Sequence, residues 1–330
     1  MNLICITPIL EIDGLYDRLK SISDNFIYEP NISRESLKII VDTFNIDYIF
    51  TNPNKQNYML DEDLLQDGQI KVICTASTGT NHIDVKYCED NGIKIISITN
   101  DHDVIDRISS TAEHTLALML SLIRKIPISF HSVRDGNWDW EPYVGRQLNF
   151  LTIGIIGFGR LGKLMAMYCN GLGMKVLVSD PYVDNEVEEW NVEQVELDEL
   201  LERSDVISLH VHVTDETREM INKNTISKMV KKPYLINTSR GEIVNEKDII
   251  EALNSDDLQG YATDVIRDEF GDIKNSKLVD ESIVPQDKII ITPHIAGMTK
   301  EAREIAYNLA VDKLDAICNG FWRKEKNDKR

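Results

Sequence analysis

Residues 152–162 read Thr-Ile-Gly-Ile-Ile-Gly-Phe-Gly-Arg-Leu-Gly, an apolar strand pattern that runs directly into a glycine-rich turn. A helical pattern follows the last of these glycines. Strand, glycine turn and helix in this order are typical of a site that binds the pyrophosphate of a dinucleotide. Gly157 permits the tight turn, Gly159 lets backbone N–H groups approach the pyrophosphate, and Gly162 allows the helix to pack closely on the strand.

The next strand pattern, 175–179, ends at Asp180, eighteen residues past the last glycine of the turn. A carboxylate at this position accepts hydrogen bonds from a ribose 2′-hydroxyl and repels a 2′-phosphate, so the sequence predicts NAD rather than NADP. Arg160 and Leu161, inside the glycine motif, belong to the same predicted cofactor site. The alternative is a turn whose helix only packs, with Asp180 as the cap of a strand end.

Short runs rich in Ile and Val alternate with helical patterns along the rest of the chain. Alternation of this kind predicts parallel strands joined by crossover helices, and near-continuous apolar strands predict sheets covered on both faces. The sequence therefore predicts an α/β protein with doubly wound parallel sheets. The predicted strands are 3–6, 48–50, 72–74, 93–96, 153–156, 176–178, 206–209, 235–236 and 289–291.

The length of 330 residues exceeds a comfortable single core, so two domains are expected. A long helical segment from Ser110 to Phe130 suggests a boundary, and Ser110 with Glu113 has the spacing of a capping box. The turn-rich segment 135–138 then precedes a fresh strand at Leu151, where a second α/β unit begins.

The composition excludes several classes of protein. Hydrophobic residues make up 42% of the chain and charged residues 28%, as in a globular protein. With 36 Lys+Arg against 55 Asp+Glu, the net charge of -19 repels polyanions, so no nucleic-acid partner is expected. An anionic substrate would need a local basic group, which makes isolated arginines near motifs informative.

Cysteine usage and apolar runs bear on the compartment. The five cysteines are scattered, which predicts reduced, buried thiols and no metal site. The N-terminal residues predict a first strand rather than a secretion signal. The longest apolar stretch, around 116–128, contains Arg124 and Lys125, so no membrane span is expected. Together these patterns predict a cytoplasmic protein.

Three later segments combine a strand end with reactive side chains. They are Asn-Thr-Ser-Arg-Gly at 237–241, Asp-Val-Ile-Arg-Asp-Glu at 264–269 and Thr-Pro-His-Ile-Ala-Gly at 292–297. Because ligands of open α/β sheets bind beyond the carboxyl ends of the strands, the three segments should converge on one site. Arg240, Glu269 and His294 would meet there.

These features closely resemble the D-isomer-specific 2-hydroxyacid dehydrogenases. The resemblance covers nearly the whole chain and rests on the glycine motif and the three later segments, in the family's order. It implies an oxidoreductase that transfers a hydride between NAD and a D-2-hydroxy acid or its 2-keto partner, as a homodimer. It also implies a Rossmann NAD-binding domain, 101–299, and a discontinuous flavodoxin-like substrate domain, 1–100 plus 300–330.

The resemblance implies roles that the chemistry of each side chain supports. Arg240 holds the substrate carboxylate and keto oxygen through its rigid fork of N–H donors. His294 is the general acid in reduction and the base in oxidation, and Glu269 orients the ring and favours its protonated form. Ser77, Thr78 and Gly79 resemble a substrate loop whose backbone N–H groups receive the carboxylate. Further predicted cofactor contacts are Thr111, His210, Thr217, Thr238, Asp264 and Gly297.

Several points stay open. Packing explains His210 and Thr217 equally well, and His82, His102, His114 and His212 are expected to be surface or packing residues. Segment 100–107 is longer than the family pattern and lies beside the expected pocket, so neither the substrate nor its phosphorylation state follows from the sequence. Thr75 replaces an arginine of phosphoglycerate dehydrogenases, which counts against that substrate. The alternatives are an NAD-sensing corepressor-like protein or a scaffold, neither of which needs an Arg/Glu/His set.

Overall fold

The computed structural model describes residues 1–53, 58–183 and 187–328. Their contacts divide the chain into a first unit, Met1–Ile108 with Met298–Arg330, and a second unit, Ser109–Gly297. The predicted roles of the two units, in substrate and NAD binding, stay predictions.

Twelve strands and twelve α-helices are formed by the described residues. The strands are β1 Asn2–Cys5, β2 Asn25–Tyr28, β3 Tyr48–Thr51, β4 Val72–Thr75, β5 Lys94–Ile96, β6 Thr152–Ile156, β7 Lys175–Ser179, β8 Glu193–Gln194, β9 Val206–Leu209, β10 Tyr234–Asn237, β11 Gly260–Thr263 and β12 Ile289–Ile291. The helices are α1 Leu15–Ser21, α2 Arg34–Thr43, α3 Glu62–Leu65, α4 Val85–Asp90, α5 His102–Ile105, α6 Ser110–Ile123, α7 Ile126–Arg134, α8 Arg160–Gly171, α9 Leu197–Arg203, α10 Lys223–Ile226, α11 Glu246–Asn254 and α12 Lys300–Asp328.

The first unit is built on a parallel sheet with the strand order β2-β1-β3-β4-β5. Successive side chains of a strand point to opposite faces. Leu3 and Cys5 therefore join a core with α1, α5 and α12, whereas Ile4 and Ile6 join a core with α2, α3 and α4. Helices on both faces and this strand order are those of a flavodoxin-like doubly wound fold.

The second unit is built on a parallel sheet with the order β12-β11-β10-β9-β6-β7-β8. Its first strand, β6, lies inside the sheet, and the chain extends the sheet first through β7 and β8 and then, on the other side, through β9 to β12. One face packs against α9, α10 and α11, and the other against α6 and α8. This is the Rossmann order with an added strand, and its switch point lies between β6 and β9.

The predicted class, an α/β chain with two doubly wound parallel sheets, is confirmed. Two strands were not predicted, namely β2 and β8, and β11 was implied by the strand end before 264–269 without being given bounds. Strand β2 begins with Asn25 at a sheet edge, β8 has two polar residues, and β11 contains Gly260. Only β8 has residues of weak strand propensity, whereas Phe, Ile and Tyr in β2 favour a strand, so β2 was missed although its composition indicates one.

The single helix predicted from Ser110 to Phe130 is wrong. The chain bends by 61° between α6 and α7, with Lys125 in the left-handed region at a φ of 53°. Pro127 lies in the first turn of α7, where proline is favoured because its missing N–H has no helical partner. The predicted capping box is also wrong, because Ser109 is the N-cap and its hydroxyl bonds the Glu113 carboxylate rather than a backbone N–H.

Among the described helices, none by itself is both long and apolar enough to span a membrane. The bent pair of α6 and α7 meets that test only when the two helices are taken together.

Candidate active site

The reactive side chains predicted in the second unit follow three neighbouring strands. Arg240 comes after β10, Glu269 after β11 and His294 after β12. These strands lie side by side and run parallel, so their carboxyl ends share one edge of the sheet. Adjacent strands are about 4.8 Å apart, which brings the three following loops close together.

His294 and Glu269 form a direct pair. The imidazole Nδ1 lies 2.7 Å from Glu269 Oε2. Because a carboxylate oxygen accepts, this contact places the hydrogen of the neutral ring on Nδ1, and Nε2 is the nitrogen that does not face Glu269. The two side chains keep 23% and 19% of their surface exposed, so the pair is screened from water without being sealed off. Glu269 Oε1 accepts a bond of 3.3 Å from Ile266 N, which orients the carboxylate.

Arg240 lies on a turn that is fixed by side-chain bonds. Asn237 Nδ2 donates to the Arg240 carbonyl at 2.9 Å, and Ser239 N donates to Asn237 Oδ1 at 3.0 Å. The Ser239 hydroxyl donates to Leu209 O at 2.7 Å, which ties the turn to the end of β9. Arg240 Nη1 donates to Ser239 O at 2.6 Å, a bond that uses one of the five N–H donors of the guanidinium.

Gly241 brings the arginine turn against the loop that leads to Glu269. A Cβ at this position would lie 2.1 Å from the carbonyl carbon of Ile266 and 2.3 Å from Arg267 N. No side chain fits at these distances, so two backbone segments are in direct contact here. Since Ile266 N also bonds Glu269, the arginine turn and the glutamate are positioned by one scaffold.

Asp264 holds the loop that carries His294. Its carboxylate accepts bonds from Thr292 Oγ1 at 2.5 Å, Ile295 N at 2.9 Å and Ala296 N at 2.7 Å. Its carbonyl accepts from His294 N at 2.9 Å. His294 has a φ of 53°, a left-handed conformation that costs a non-glycine residue about 1 kcal/mol or more. The bonds to Asp264 offset that cost.

The Asp264 carboxylate is almost fully buried, with a residue exposure of 1%. Burial raises its pKa, but the hydrogen bonds from His114, Thr292, Ile295 and Ala296 outweigh burial and hold the pKa below its usual value. Asp264 is therefore ionised at neutral pH. The resemblance predicted Asp264 as a cofactor contact, and its bonds in this structure are to the histidine loop.

The glycine motif forms the turn between β6 and α8. Gly157 has a φ of 93°, and a Cβ there would lie 2.5 Å from His210 O. A Cβ on Gly162 would lie 2.1 Å from Gly157 O, so this glycine allows the helix to pack on the turn. Gly159 differs, because no atom of another described residue that could clash lies within 4 Å of a Cβ placed on it.

The open space at Gly159 coincides with the start of α8. Gly159 is the N-cap and has no side chain with which to cap the helix, and the first N–H groups of a helix have no acceptor within the helix itself. Such a terminus favours an anion, and the missing side chain lets it approach the backbone. The residues present therefore fit the pyrophosphate of a dinucleotide.

Asp180 follows β7 beside the same turn. Its Oδ2 accepts from Phe158 N at 2.8 Å and its Oδ1 from Tyr182 N at 2.9 Å. Asp180 thus caps the turn, as the alternative interpretation held. Each carboxylate oxygen has two lone pairs, so the capping bonds leave capacity for a ribose hydroxyl. Its role in cofactor choice stays a prediction.

Other predicted cofactor residues bond within their own surroundings. His210 Nε2 lies 2.8 Å from Ser208 Oγ, and burial lowers the pKa of His210 to about 4, so the ring is neutral at neutral pH. Thr217 Oγ1 donates to His212 O at 2.5 Å. Packing, the alternative named for both residues, describes these contacts. Thr238 Oγ1 lies 2.7 Å from Thr115 Oγ1 on α6, Thr111 is half-buried and Gly297 is exposed.

The predicted substrate loop lies in the first unit and is bonded to itself. Gly79 N donates to Ser77 Oγ at 2.9 Å, and Ser77 Oγ donates to Gly79 O at 2.7 Å. Thr99 Oγ1 donates to Thr78 O at 2.6 Å. The N–H of Gly79 is thus already used, and Ser77 would have to rotate before this N–H received a carboxylate. Its role stays a prediction.

One residue near the site was missed by the sequence interpretation. His114, expected to be a surface or packing residue, has Nε2 3.0 Å from Thr292 Oγ1 and 3.5 Å from Asp264 Oδ1. A weak signal was available, because polar residues at 111, 114 and 115 share one face of an otherwise apolar helix.

A family model described as the NAD-binding domain of D-isomer-specific 2-hydroxyacid dehydrogenases matches residues 116–296. The chain is 30% identical over 308 residues to the hydroxypyruvate reductase of Blautia hydrogenotrophica, which covers 92% of this chain and 91% of that protein. It is 35% identical over 246 residues to the D-3-phosphoglycerate dehydrogenase of Archaeoglobus fulgidus, covering 74% of this chain and 45% of the relative. This chain therefore spans less than half the length of that relative.

The fold is similar to that of a solved D-lactate dehydrogenase from Aquifex aeolicus, complexed with NAD and lactic acid. The TM-score is 0.79 at 32% identity, with 99% of this chain and 98% of the other covered.

Alanine substitutions of Gly159 and Gly162, at the start of α8, are expected to have different effects. Gly159→Ala places a methyl group in the open space at the helix N-terminus, so we expect NADH affinity to fall about tenfold or more with little change in thermal unfolding. Gly162→Ala drives a methyl group into Gly157 O, so we expect the free energy of unfolding to fall by about 1–3 kcal/mol. Fluorescence titration with NADH and thermal melts measure both. Wild-type NADH affinity in Gly159→Ala would show that no pyrophosphate lies there.

Proposed function

This chain belongs to the D-isomer-specific 2-hydroxyacid dehydrogenases, and on that premise we propose that it transfers a hydride between NAD and a D-2-hydroxy acid or its 2-keto partner. The observation that carries the proposal is the His294–Glu269 pair, 2.7 Å apart, at the strand edge where Arg240 also lies. The glycine turn in the same unit, with open space among the described residues at Gly159, supports a dinucleotide as the cofactor.

In the proposed reduction, His294 is the proton donor. When NADH is bound, its nicotinamide supplies the hydride to the carbonyl carbon. His294 Nε2 delivers a proton to the carbonyl oxygen, and Glu269, bonded to Nδ1, stabilises the charged ring before that transfer. In oxidation, the neutral ring takes the hydroxyl proton at the same nitrogen.

Arg240 binds the substrate in this proposal. Its planar fork of N–H donors matches a carboxylate, which a lysine would contact only as a point charge. The turn bonds at Asn237 and Ser239 support this role because they fix the backbone from which the guanidinium extends. In a chain of net charge -19, a fixed cation also offsets the repulsion of an anionic substrate. Ser77, Thr78 and Gly79 are proposed as further substrate contacts.

NAD is proposed to lie along the carboxyl edge of the second sheet. Arg160 and Leu161, with the three glycines, would hold the pyrophosphate, and Asp180 would accept from the adenosine ribose. Thr111, Thr238, Asp264 and Gly297 are proposed around the nicotinamide, and His210 and Thr217 on the adenosine side.

Substrate identity is the open part of the proposal. The relatives are named for phosphoglycerate, glyoxylate, hydroxypyruvate and lactate. A sensor or scaffold would bind NADH without turning over any 2-keto acid, so a turnover screen separates these alternatives from the enzyme. We also propose a cytoplasmic location, which the five free, buried cysteines support because thiols persist in a reducing compartment.

We further propose that the protein is a homodimer, with residues 126–150 as the interface segment. Ile126, Phe130 and Val133 lie at helical spacing on one face of α7, and all three are exposed. Trp138 and Trp140 follow, with exposures of 91% and 73%. Helix α7 contains no buried residue, so a second copy would supply the cover that its apolar face lacks.

The charge of this interface segment supports a second copy as the partner. It contains two arginines against three acidic residues, a charge of -1, within a chain of net charge -19. Two copies repel each other over most of their surface, and a nearly neutral apolar segment is where they can approach.

His294→Gln is expected to remove turnover while leaving NADH binding unchanged. Glutamine keeps a polar group but cannot carry a proton to the substrate, and general acid–base catalysis contributes about 10²–10⁴-fold to rate. The assay follows NADH oxidation with glyoxylate, pyruvate, hydroxypyruvate, branched and phosphorylated 2-keto acids, and NADH affinity is titrated separately. His212→Gln, which changes an exposed histidine, is the control. Undiminished turnover in His294→Gln would refute the proton-transfer role.

Asp180→Ala is expected to relax the preference for NADH over NADPH. Removing the carboxylate removes both the ribose hydrogen bond and the repulsion of a 2′-phosphate. The ratio of kcat/KM for the two cofactors should shift toward NADPH by about tenfold or more. An unchanged ratio would contradict the assignment, and thermal melts check that loss of the turn cap has not unfolded the protein.

Phe130→Asp is expected to separate the proposed dimer. A charge in an apolar interface is costly when it has no partner. Wild type should sediment at twice the chain mass of 37.7 kDa and the variant at the chain mass, at micromolar concentration. Ile39→Asp, which changes an exposed residue of α2 to the same charge, should sediment as wild type. A dimer that survives in Phe130→Asp would exclude α7 from the interface.

A further inference from the structure

His114 donates into a chain of hydrogen bonds that ends at the histidine loop. Its Nε2 lies 3.0 Å from Thr292 Oγ1, and Thr292 Oγ1 donates to Asp264 Oδ1 at 2.5 Å. A hydroxyl has one hydrogen, and here the carboxylate accepts it. Thr292 must therefore accept from His114, so Nε2 of His114 carries the hydrogen.

Asp264 links Thr292 to the backbone of His294 and the two residues that follow it. Its two oxygens accept from Ile295 N and Ala296 N, and its carbonyl accepts from His294 N. Ile295 and Ala296 directly follow His294, so their amides determine where its backbone lies. The order of contacts is His114, Thr292, Asp264, and then the backbone that presents His294 to Glu269.

Because Asp264 is buried, its carboxylate depends on the hydrogen-bond donors around it. Its side chain has no exposed surface, whereas that of His114 keeps 21%. A buried carboxylate without sufficient donors is costly and shifts its geometry to find others. His114 Nε2 is also 3.5 Å from Asp264 Oδ1, so the imidazole contributes to the carboxylate both directly and through Thr292.

We propose that His114 is a positioning residue for proton transfer: through Thr292 and Asp264 it holds the loop 292–296 so that His294 faces Glu269. The inference rests on the proposed function for its kinetic consequence. It does not make His114 a catalytic residue, because no contact of its ring is with His294 or Glu269 in the bonds described above. Its hydrogen-bond donor, and not its charge, is the property that matters.

Two substitutions of His114 distinguish the effect of its hydrogen-bond donor from the effect of the size of its ring. His114→Gln keeps a nitrogen donor the same number of bonds from Cα as imidazole Nε2, whereas His114→Leu removes it. We expect kcat to fall about tenfold or more in His114→Leu, because small misplacements of a reacting group cost up to about 10²-fold. His114→Gln should stay within about threefold of wild type.

A second readout does not depend on activity. Hydrogen exchange of the peptide 292–298 should be faster in His114→Leu than in wild type, because the amides of Ile295 and Ala296 lose a fixed acceptor. Exchange in 152–162, the strand and glycine turn, should not change. His114→Gln should restore protection of 292–298.

The outcomes are distinct. Wild-type kcat and wild-type exchange in His114→Leu would overturn the proposal. So would a His114→Gln variant as slow as His114→Leu, or faster exchange in 152–162 to the same degree, since both indicate a general structural role. If none of the tested 2-keto acids supports NADH oxidation by the wild-type protein, the proposed function fails. The hydrogen-exchange comparison then supports or overturns the positioning of loop 292–296 by His114 without any activity measurement.

Discussion

The buried carboxylate of Asp264 is the constraint on which the histidine loop depends. A charge out of water is tolerated only where donors surround it, and Asp264 has donors from a side-chain hydroxyl, two backbone amides and an imidazole. Those amides belong to the residues after His294, so satisfying the carboxylate and shaping the loop are the same event. The left-handed backbone at His294 is the visible consequence.

The second constraint is close contact between backbone segments at glycines. It distinguishes the glycines that the fold requires from a glycine that leaves room for a bound ligand. Gly162 and Gly241 would each place a Cβ 2.1 Å from a neighbouring backbone atom. Both are required by the fold itself. Gly159 has open space around it among the described residues, whose packing gives no reason for a glycine there. Within one motif, the geometry therefore assigns different causes to residues that look equivalent in the sequence.

The features that the sequence could predict are those that depend on residues close together in the chain. The α/β class, the glycine turn and the strand-end positions of Arg240, Glu269 and His294 depend on local patterns and on the rule that parallel strands end at one edge. The break at Lys125 depends on a left-handed residue with no local requirement for one. The role of His114 depends on α6 packing against β11 and β12, which no spacing in the sequence expresses.

The division of the chain into two units explains why the reaction class is better defined than the substrate. The family model matches residues 116–296, all of which lie in the second unit with Arg240, Glu269 and His294. Segment 100–107, which was predicted to be longer than the family pattern, lies in the first unit, where Lys313 donates to Ser97 O at 2.7 Å and pairs with Asp101 at the start of α5. Relatives of similar identity are named for different acids, so membership of the family defines the reaction class without defining the substrate.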